Sequence, residues 1–286
     1  MKTLETPAAE RRDEGSYQKQ AAASNSHPEP SSRRQARSRR IPVASKKKRP
    51  GVVASTSRNL YASRTRRGPM LVPCEKAVGL QACESVLESL IVAATRFDDR
   101  VEHVIAQPRV MDVRTGITGK TEELLKSNLL AEGYAWQDAK LWFVDLELHL
   151  VGGLSPVFVE VKPASRAAAI ETELEARRAA CERVGAGFLL VRDEDFPEAL
   201  VHNLHILRRY AGTKVSEETT SRIQQALSVA SYTVAELAQL AEAGLAEVYG
   251  LIANGVLAVD LFQQRLNRQA IVHPSGGEPR KILPLR

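Results

Sequence analysis

Cysteine, aromatic residues and long apolar runs are scarce in this chain, and each shortage removes a class of protein. The three cysteines, Cys74, Cys83 and Cys181, are odd in number and fall at no paired spacing, which argues against a disulfide framework and against a zinc knuckle. No stretch reaches the ~18 consecutive apolar residues of a membrane span, and no signal-peptide pattern opens the chain, so a soluble, cytoplasmic protein without a membrane partner is expected. Aromatic residues make up 5% of the sequence. Tyr61 stands beside the basic segment Ser63-Arg64-Thr-Arg66-Arg67-Gly68-Pro69, but basic and aromatic residues do not alternate there. That pattern fits contact with a DNA backbone better than a stacking platform for single strands. With 286 residues, 43% of them apolar, the chain can bury a sizeable core, and at ~100–200 residues per domain it suggests two folded units and a tail.

Acidic residues are missing where basic ones are densest. Residues 1–68 hold 17 Lys and Arg against five Asp and Glu, a balance of +12, so the whole-chain +6 leaves −6 for residues 69–286. The runs Arg33-Arg34-Gln-Ala-Arg37-Ser-Arg39-Arg40 and Lys46-Lys47-Lys48-Arg49 lie among Ser, Ala, Pro and Gln with almost no apolar anchor, which predicts a disordered basic arm over 1–68. An arm of this kind neutralises phosphates and releases counterions.

The segment with the most chemistry is Phe143-Val-Asp145-Leu-Glu147-Leu-His149-Leu150, followed after a Gly-Gly turn by Pro156-Val-Phe-Val-Glu160-Val-Lys162-Pro163. It reads as two adjacent strands. Side chains alternate faces along a strand, so Val157, Val159 and Val161 share one face while Phe158, Glu160 and Lys162 share the other. On the preceding strand Leu146, Leu148 and Leu150 oppose Phe143, Asp145, Glu147 and His149. With the acidic faces aligned, Asp145 lies beside Glu160 and Lys162. Carboxylates that converge in a half-buried place repel unless a cation relieves them, and their hard oxygens suit Mg²⁺ or Mn²⁺. Such an ion makes a nucleophile of water and stabilises charge on a phosphodiester, while a nearby lysine orients or deprotonates the water. The plain alternative is a wet sheet face on which Lys162 pairs with Glu160. Upstream, Val86, Leu87, Leu90, Ile91 and Ala94 recur at helical spacing and predict an amphipathic helix carrying Glu84 and Glu88 on one face. Val101–Ile105 and Arg109–Arg114 predict the first strands of the sheet.

Taken in order, the Ser-x-Leu-Glu88 helix, the Gln107-Pro108 pair, Asp145 in an apolar strand, Glu160-Val-Lys162-Pro163, the charged helix through Glu171–Arg178 and the strand Gly187–Val191 resemble the TnsA-type endonuclease subunit of heteromeric (TnsA/TnsB) transposases. The resemblance spans roughly residues 80–200. It implies an α/β restriction-endonuclease-like (PD-(D/E)XK) core over 69–205 whose catalytic residues fall on Glu88, Asp145, Glu160 and Lys162. It places Mg²⁺ or Mn²⁺ on Glu88, Asp145 and Glu160, with Gln107 in a supporting position. Val144 stands where the family frequently has proline. The implied activity is hydrolysis of the 5′ strands at transposon ends in double-stranded DNA, in a prokaryotic cytoplasm, beside a TnsB-like transposase that processes the 3′ ends. The alternatives are a free-standing restriction or repair endonuclease and a non-catalytic DNA-binding adaptor.

After residue 200 the texture turns helical. Helices are predicted at Val201–Tyr210, from Ser216, from Thr233 with a Thr-x-x-Glu236 capping box, and over Ala243–Ala253 closed by Asn254-Gly255; a strand is predicted at Val256–Leu261. This order resembles a small winged-helix-like domain over 206–286. The helix 243–253 has no Arg, Lys, Asn or Gln to read base edges. It fits protein contact, in the family with a TnsC-like ATPase regulator, although Leu245, Val248, Tyr249 and Ile252 suit a core equally. His103 and His149 read as ordinary surface or core residues.

Overall fold

The computed structural model describes residues 69–153 and 155–285. The expected basic arm, 1–68, lies outside the described residues. The chain runs through β1 (Met70–Pro73), β2 (Leu80–Cys83), α1 (Val86–Thr95), β3 (Val101–Ala106), β4 (Val110–Asp112), β5 (Thr118–Gly119), α2 (Glu122–Ala131), β6 (Leu141–Phe143), β7 (Leu146–Leu150) and β8 (Val157–Val161). It continues with α3 (Ala164–Ala169), α4 (Glu171–Arg183), β9 (Gly187–Val191), α5 (Glu198–Tyr210), α6 (Glu217–Leu227), β10 (Tyr232–Thr233), α7 (Val234–Leu240), α8 (Leu245–Ala253), β11 (Leu257–Ala258) and β12 (Ile271–Pro274). This is a mixed α/β fold.

The main sheet has the order β3-β7-β8-β9, with β8 and β9 parallel and the other neighbours antiparallel. A smaller sheet, β5-β4-β6, adjoins it in sequence, and β1 pairs with β2. The alternation expected along β8 is present. Val159 and Val161 enter the large core with Ile91, Val92, Phe97, Leu146 and Leu148, whereas Phe158 packs on the other side with Met111, Trp142, Ala180 and Cys181. Burying each such aliphatic or aromatic side chain contributes about 1.5–3 kcal/mol, so the two faces hold the sheet between layers. The strand expected from Phe143 to Leu150 is instead two strands broken at Val144 and Asp145. The partner strand bends at the same level: Gln107, between β3 and β4, has φ 49°, and its N–H donates to the Asp145 carbonyl at 2.9 Å, while Val144 N–H donates to the Arg109 carbonyl. Both strands therefore turn together from one sheet into the other.

Helix α1 begins where Ser85 caps it. Ser85 Oγ accepts from Glu88 N–H at 3.1 Å, and Glu88 returns its carboxylate to Ser85 Oγ–H at 2.8 Å and to Glu84 N–H at 3.0 Å. Reciprocal caps of this kind contribute about 1 kcal/mol. The buried face of α1 is Ile91 to Thr95; Val86, expected in the apolar stripe, is 64% exposed because it occupies the first turn, ahead of the sheet.

Residues on both sides of 205 share one continuous core, from Val72 through Leu204 to Val248 and Ile282. Helix α5 packs on both α1 and α8. Its Asn203, fully buried, donates to the carbonyls of Leu261 and Gln264 and accepts from Leu266 N–H. Helix α6, β10, α7 and α8 are followed by β11 and β12 in a sheet of order β10-β12-β11. The Thr233–Glu236 capping box and the left-handed Gly255 after α8 form as expected. The expected strand Val256–Leu261 shrinks to β11, because the Asp260 carboxylate accepts from Phe262 and Gln263 N–H and turns the chain. On α8, Val248, Tyr249 and Ile252 are core.

The last described residues return to the α1–β3 turn. Asp98, with no exposed surface, accepts from Ile282 and Leu283 N–H and from the Arg100 guanidinium, which in turn donates to the carbonyls of Leu283 and Leu285. All three cysteines are free and buried. Desolvation drives the Cys83 and Cys181 thiols up to about 12. Among the described residues no helix is long and apolar enough to cross a membrane.

Candidate active site

The bend at Gln107 and Asp145 sets a carboxylate at the corner between the two sheets. Register places Leu146 opposite Val159, so Asp145, one residue earlier, comes level with Glu160 and Val161. Asp145 Oδ2 accepts from Val161 N–H at 2.9 Å and from Lys162 Nζ at 3.2 Å. Lys162 Nζ also donates to the Val161 carbonyl at 3.0 Å and pairs with Glu160 Oε1. Asp145, Glu160 and Lys162 thus meet as expected, although Asp145 lies in the break between β6 and β7 and Lys162 just past β8.

Glu88 and Gln107 complete the inner side. Gln107, fully buried, donates through Nε2 to Glu88 Oε2 at 3.4 Å, while its Oε1 is buried without a hydrogen-bond partner. Glu88 is 5% exposed, and its charge reaches Asp145. Glu147 does not join. It lies on the Phe158 face, where Arg109 holds its Oε2 at 2.6–2.8 Å and His149 meets its Oε1 at 2.9 Å. Arg109 itself stacks over the Phe158 ring at 5.1 Å.

The electrostatics separate these groups. Desolvation first, then the Glu160 and Glu88 charges, raise the Asp145 carboxyl to about 7 against the pull of Lys162. Burial likewise raises Glu88, partly offset by the donors from Glu84 and Ser85. Desolvation lowers Lys162, but Asp145 and Glu160 outweigh it and hold the ammonium above the ordinary lysine value.

Two neighbours of Glu160 escaped the sequence reading. Trp142 Nε1 donates to Glu160 Oε2 at 2.5 Å, and Arg177 Nη1 donates to Glu160 Oε1 at 2.6 Å from helix α4. Arg177 lies within the charged helix already singled out, yet nothing in its spacing points across 17 residues to β8.

A divalent ion is implied by the resemblance, and the donors present suit one by chemistry: three carboxylates and an amide oxygen, all hard ligands, with Gln107 Oε1 unpartnered and Asp145 and Glu88 disfavoured as bare anions. Both Glu160 oxygens already carry donors. Among the described residues no three His, Cys, Asp or Glu side chains stand ready as a ligand set, so coordination requires local movement. Compared with protein-family models and with curated proteins, the sequence matches none.

Proposed function

We propose that the chain is a metal-dependent DNA endonuclease of the TnsA type, with a restriction-endonuclease-like core and a winged-helix-like C-terminal part. In this role it hydrolyses the 5′ strands at transposon ends beside a TnsB-like transposase and a TnsC-like ATPase. One observation carries the reading: Lys162, just past the end of β8, bridges two buried carboxylates, Asp145 and Glu160, at the corner where two sheets diverge, with a third acid, Glu88, close enough to disturb Asp145. Buried acids crowded so that one is pushed towards neutrality mark sites of chemistry more often than sites of pure support. The helix–strand–helix–helix–strand–strand order after residue 216, with β12 between β10 and β11, supports the winged-helix comparison.

Asp145, Glu160 and Glu88 would hold Mg²⁺ or Mn²⁺, with Gln107 Oε1 as a neutral oxygen beside them. A bound ion supplies Lewis acidity towards the phosphodiester and lowers the pKa of water. Without metal, Asp145 and Glu160 favour the charged form of Lys162, and as an ammonium it would orient water or neutralise the scissile phosphate. Asp145 fixes that ammonium and is itself fixed by Val161 N–H.

Incubation of the protein, and of a Lys162→Ala control, with supercoiled and transposon-end DNA in Mg²⁺ or Mn²⁺ tests the reading, with and without a candidate transposase. Partner-dependent 5′ cuts lost in the control support it. Cuts at defined sites without a partner favour a free-standing endonuclease, and no cuts under any condition favour the non-catalytic adaptor.

A further inference from the structure

Glu160 has three partners, and they are unequal. Lys162 is tied to Asp145 and to the Val161 carbonyl as well, so it has little freedom to leave. The Trp142 indole is neutral and its residue is 2% exposed. Arg177 differs from both. It reaches Glu160 Oε1 from a separate element, α4, its side chain is 15% exposed, and its second nitrogen already contacts Glu173 Oε2 at 3.3 Å, one helical turn away. Glu173 is 64% exposed, so the guanidinium has an alternative partner on the solvent side.

Resting on the endonuclease reading, we propose that Arg177 is a positioning residue that competes with the divalent ion for Glu160 and so sets how tightly the site takes metal. An oxygen that accepts from both Arg177 and Lys162 is a poor ligand, because a divalent cation then meets two positive charges at hydrogen-bond range in a buried place. Moving Arg177 towards Glu173 leaves Oε1 with Lys162 alone and keeps the guanidinium near the Trp142 ring, whose centroid lies 5.8 Å from its carbon. The device keeps Glu160 neutralised and ordered on its own, and makes metal uptake depend on an exchange of cations. Trp142, bonded to the other oxygen, reports the exchange.

The test is Mn²⁺ titration of the full chain without DNA, by calorimetry and by tryptophan fluorescence, for wild type, Arg177→Gln and Arg177→Lys. Arg177→Gln should bind Mn²⁺ about tenfold more tightly and Arg177→Lys within about twofold of wild type, since only the first removes the charge. Adding Asp145→Asn should abolish the binding in each background. Equal or weaker binding by Arg177→Gln, equal gains in both variants, or binding that survives Asp145→Asn would overturn the proposal while leaving the endonuclease reading standing. Failure of the wild type itself to bind Mn²⁺ would overturn the endonuclease reading and the proposal with it. Should Arg177→Gln not fold, as judged by a cooperative melt, Arg177→Met, whose stem still packs on Trp142, takes its place; if neither folds, Arg177 is structural and the proposal falls.

Discussion

Asp98 and Asp145 are both buried aspartates with a cation within reach, yet their environments push them in opposite directions. Burial raises Asp98, but the Arg100 fork and the N–H groups of Ile282 and Leu283 more than reverse it, and the carboxyl ends below the ordinary aspartate value. Asp145 has one backbone donor and one lysine, and the acids beside it add to the cost of burial. Satisfied charge serves the fold, and crowded charge is held available for something else. The contrast separates a clasp from a candidate reaction centre without appeal to position in the sequence.

The largest effect expected is on activity. Lys162→Ala or Asp145→Ala should lower DNA cleavage by about a thousandfold or more, measured as initial nicking rates, with a melting transition still cooperative. Retained cleavage in either variant would return the corner to ordinary structure. Asp98→Asn should do the reverse, costing about 3–5 kcal/mol in urea unfolding because the partly buried Arg100 guanidinium loses its counter-charge and an NH2 replaces one of the two oxygens that accept from Arg100, Ile282 and Leu283. Its cleavage rate per folded molecule should equal that of wild type.

Acidity sharpens the same comparison. The folded carboxyl of Asp145 titrates near 7 against 3.8 when unfolded, so the folded state holds its proton more tightly and stability from this group falls as pH rises from about 4 to about 7. Asp98, lowered, contributes stability above the unfolded value of 3.8 that is lost as pH falls through and below it. Urea midpoints across pH 3–8 should therefore show Asp145→Asn gaining on wild type as pH rises, and Asp98→Asn losing least at the acid end. The smallest effect belongs to the exposed Glu198–Arg265 pair. Glu198→Ala should change stability by under about 1 kcal/mol, a control for both clusters.

What the sequence made legible is local. The two-residue alternation along β8 indicated that Val159 and Val161 share one face and Phe158 the other, and Asp145 meets Glu160 and Lys162 as expected, though from the break between β6 and β7 rather than from within a strand. The capping box at Thr233–Glu236 forms within four residues and needs no partner element. The break at Val144 and Asp145 was hidden, because an apolar run looks the same whether it stays in one sheet or crosses to another; its cause is the left-handed Gln107 on the neighbouring strand. Pairs joined across the fold were equally silent. Arg177 reaches Glu160 from another element, and Asp98 meets Leu283 across 185 positions, so only the packing of helices on the sheet brings them together.

The buried thiols give the two sides of the sheet separate timers. Cys83 lies in the large core with Ile91 and Leu148, and Cys181 lies behind the sheet with Trp142 and Phe158. Neither carries thiolate at neutral pH, since burial drives both to about 12. An alkylating reagent must therefore wait for the surrounding layer to part, and the two labelling rates, followed by mass, clock how often each layer opens.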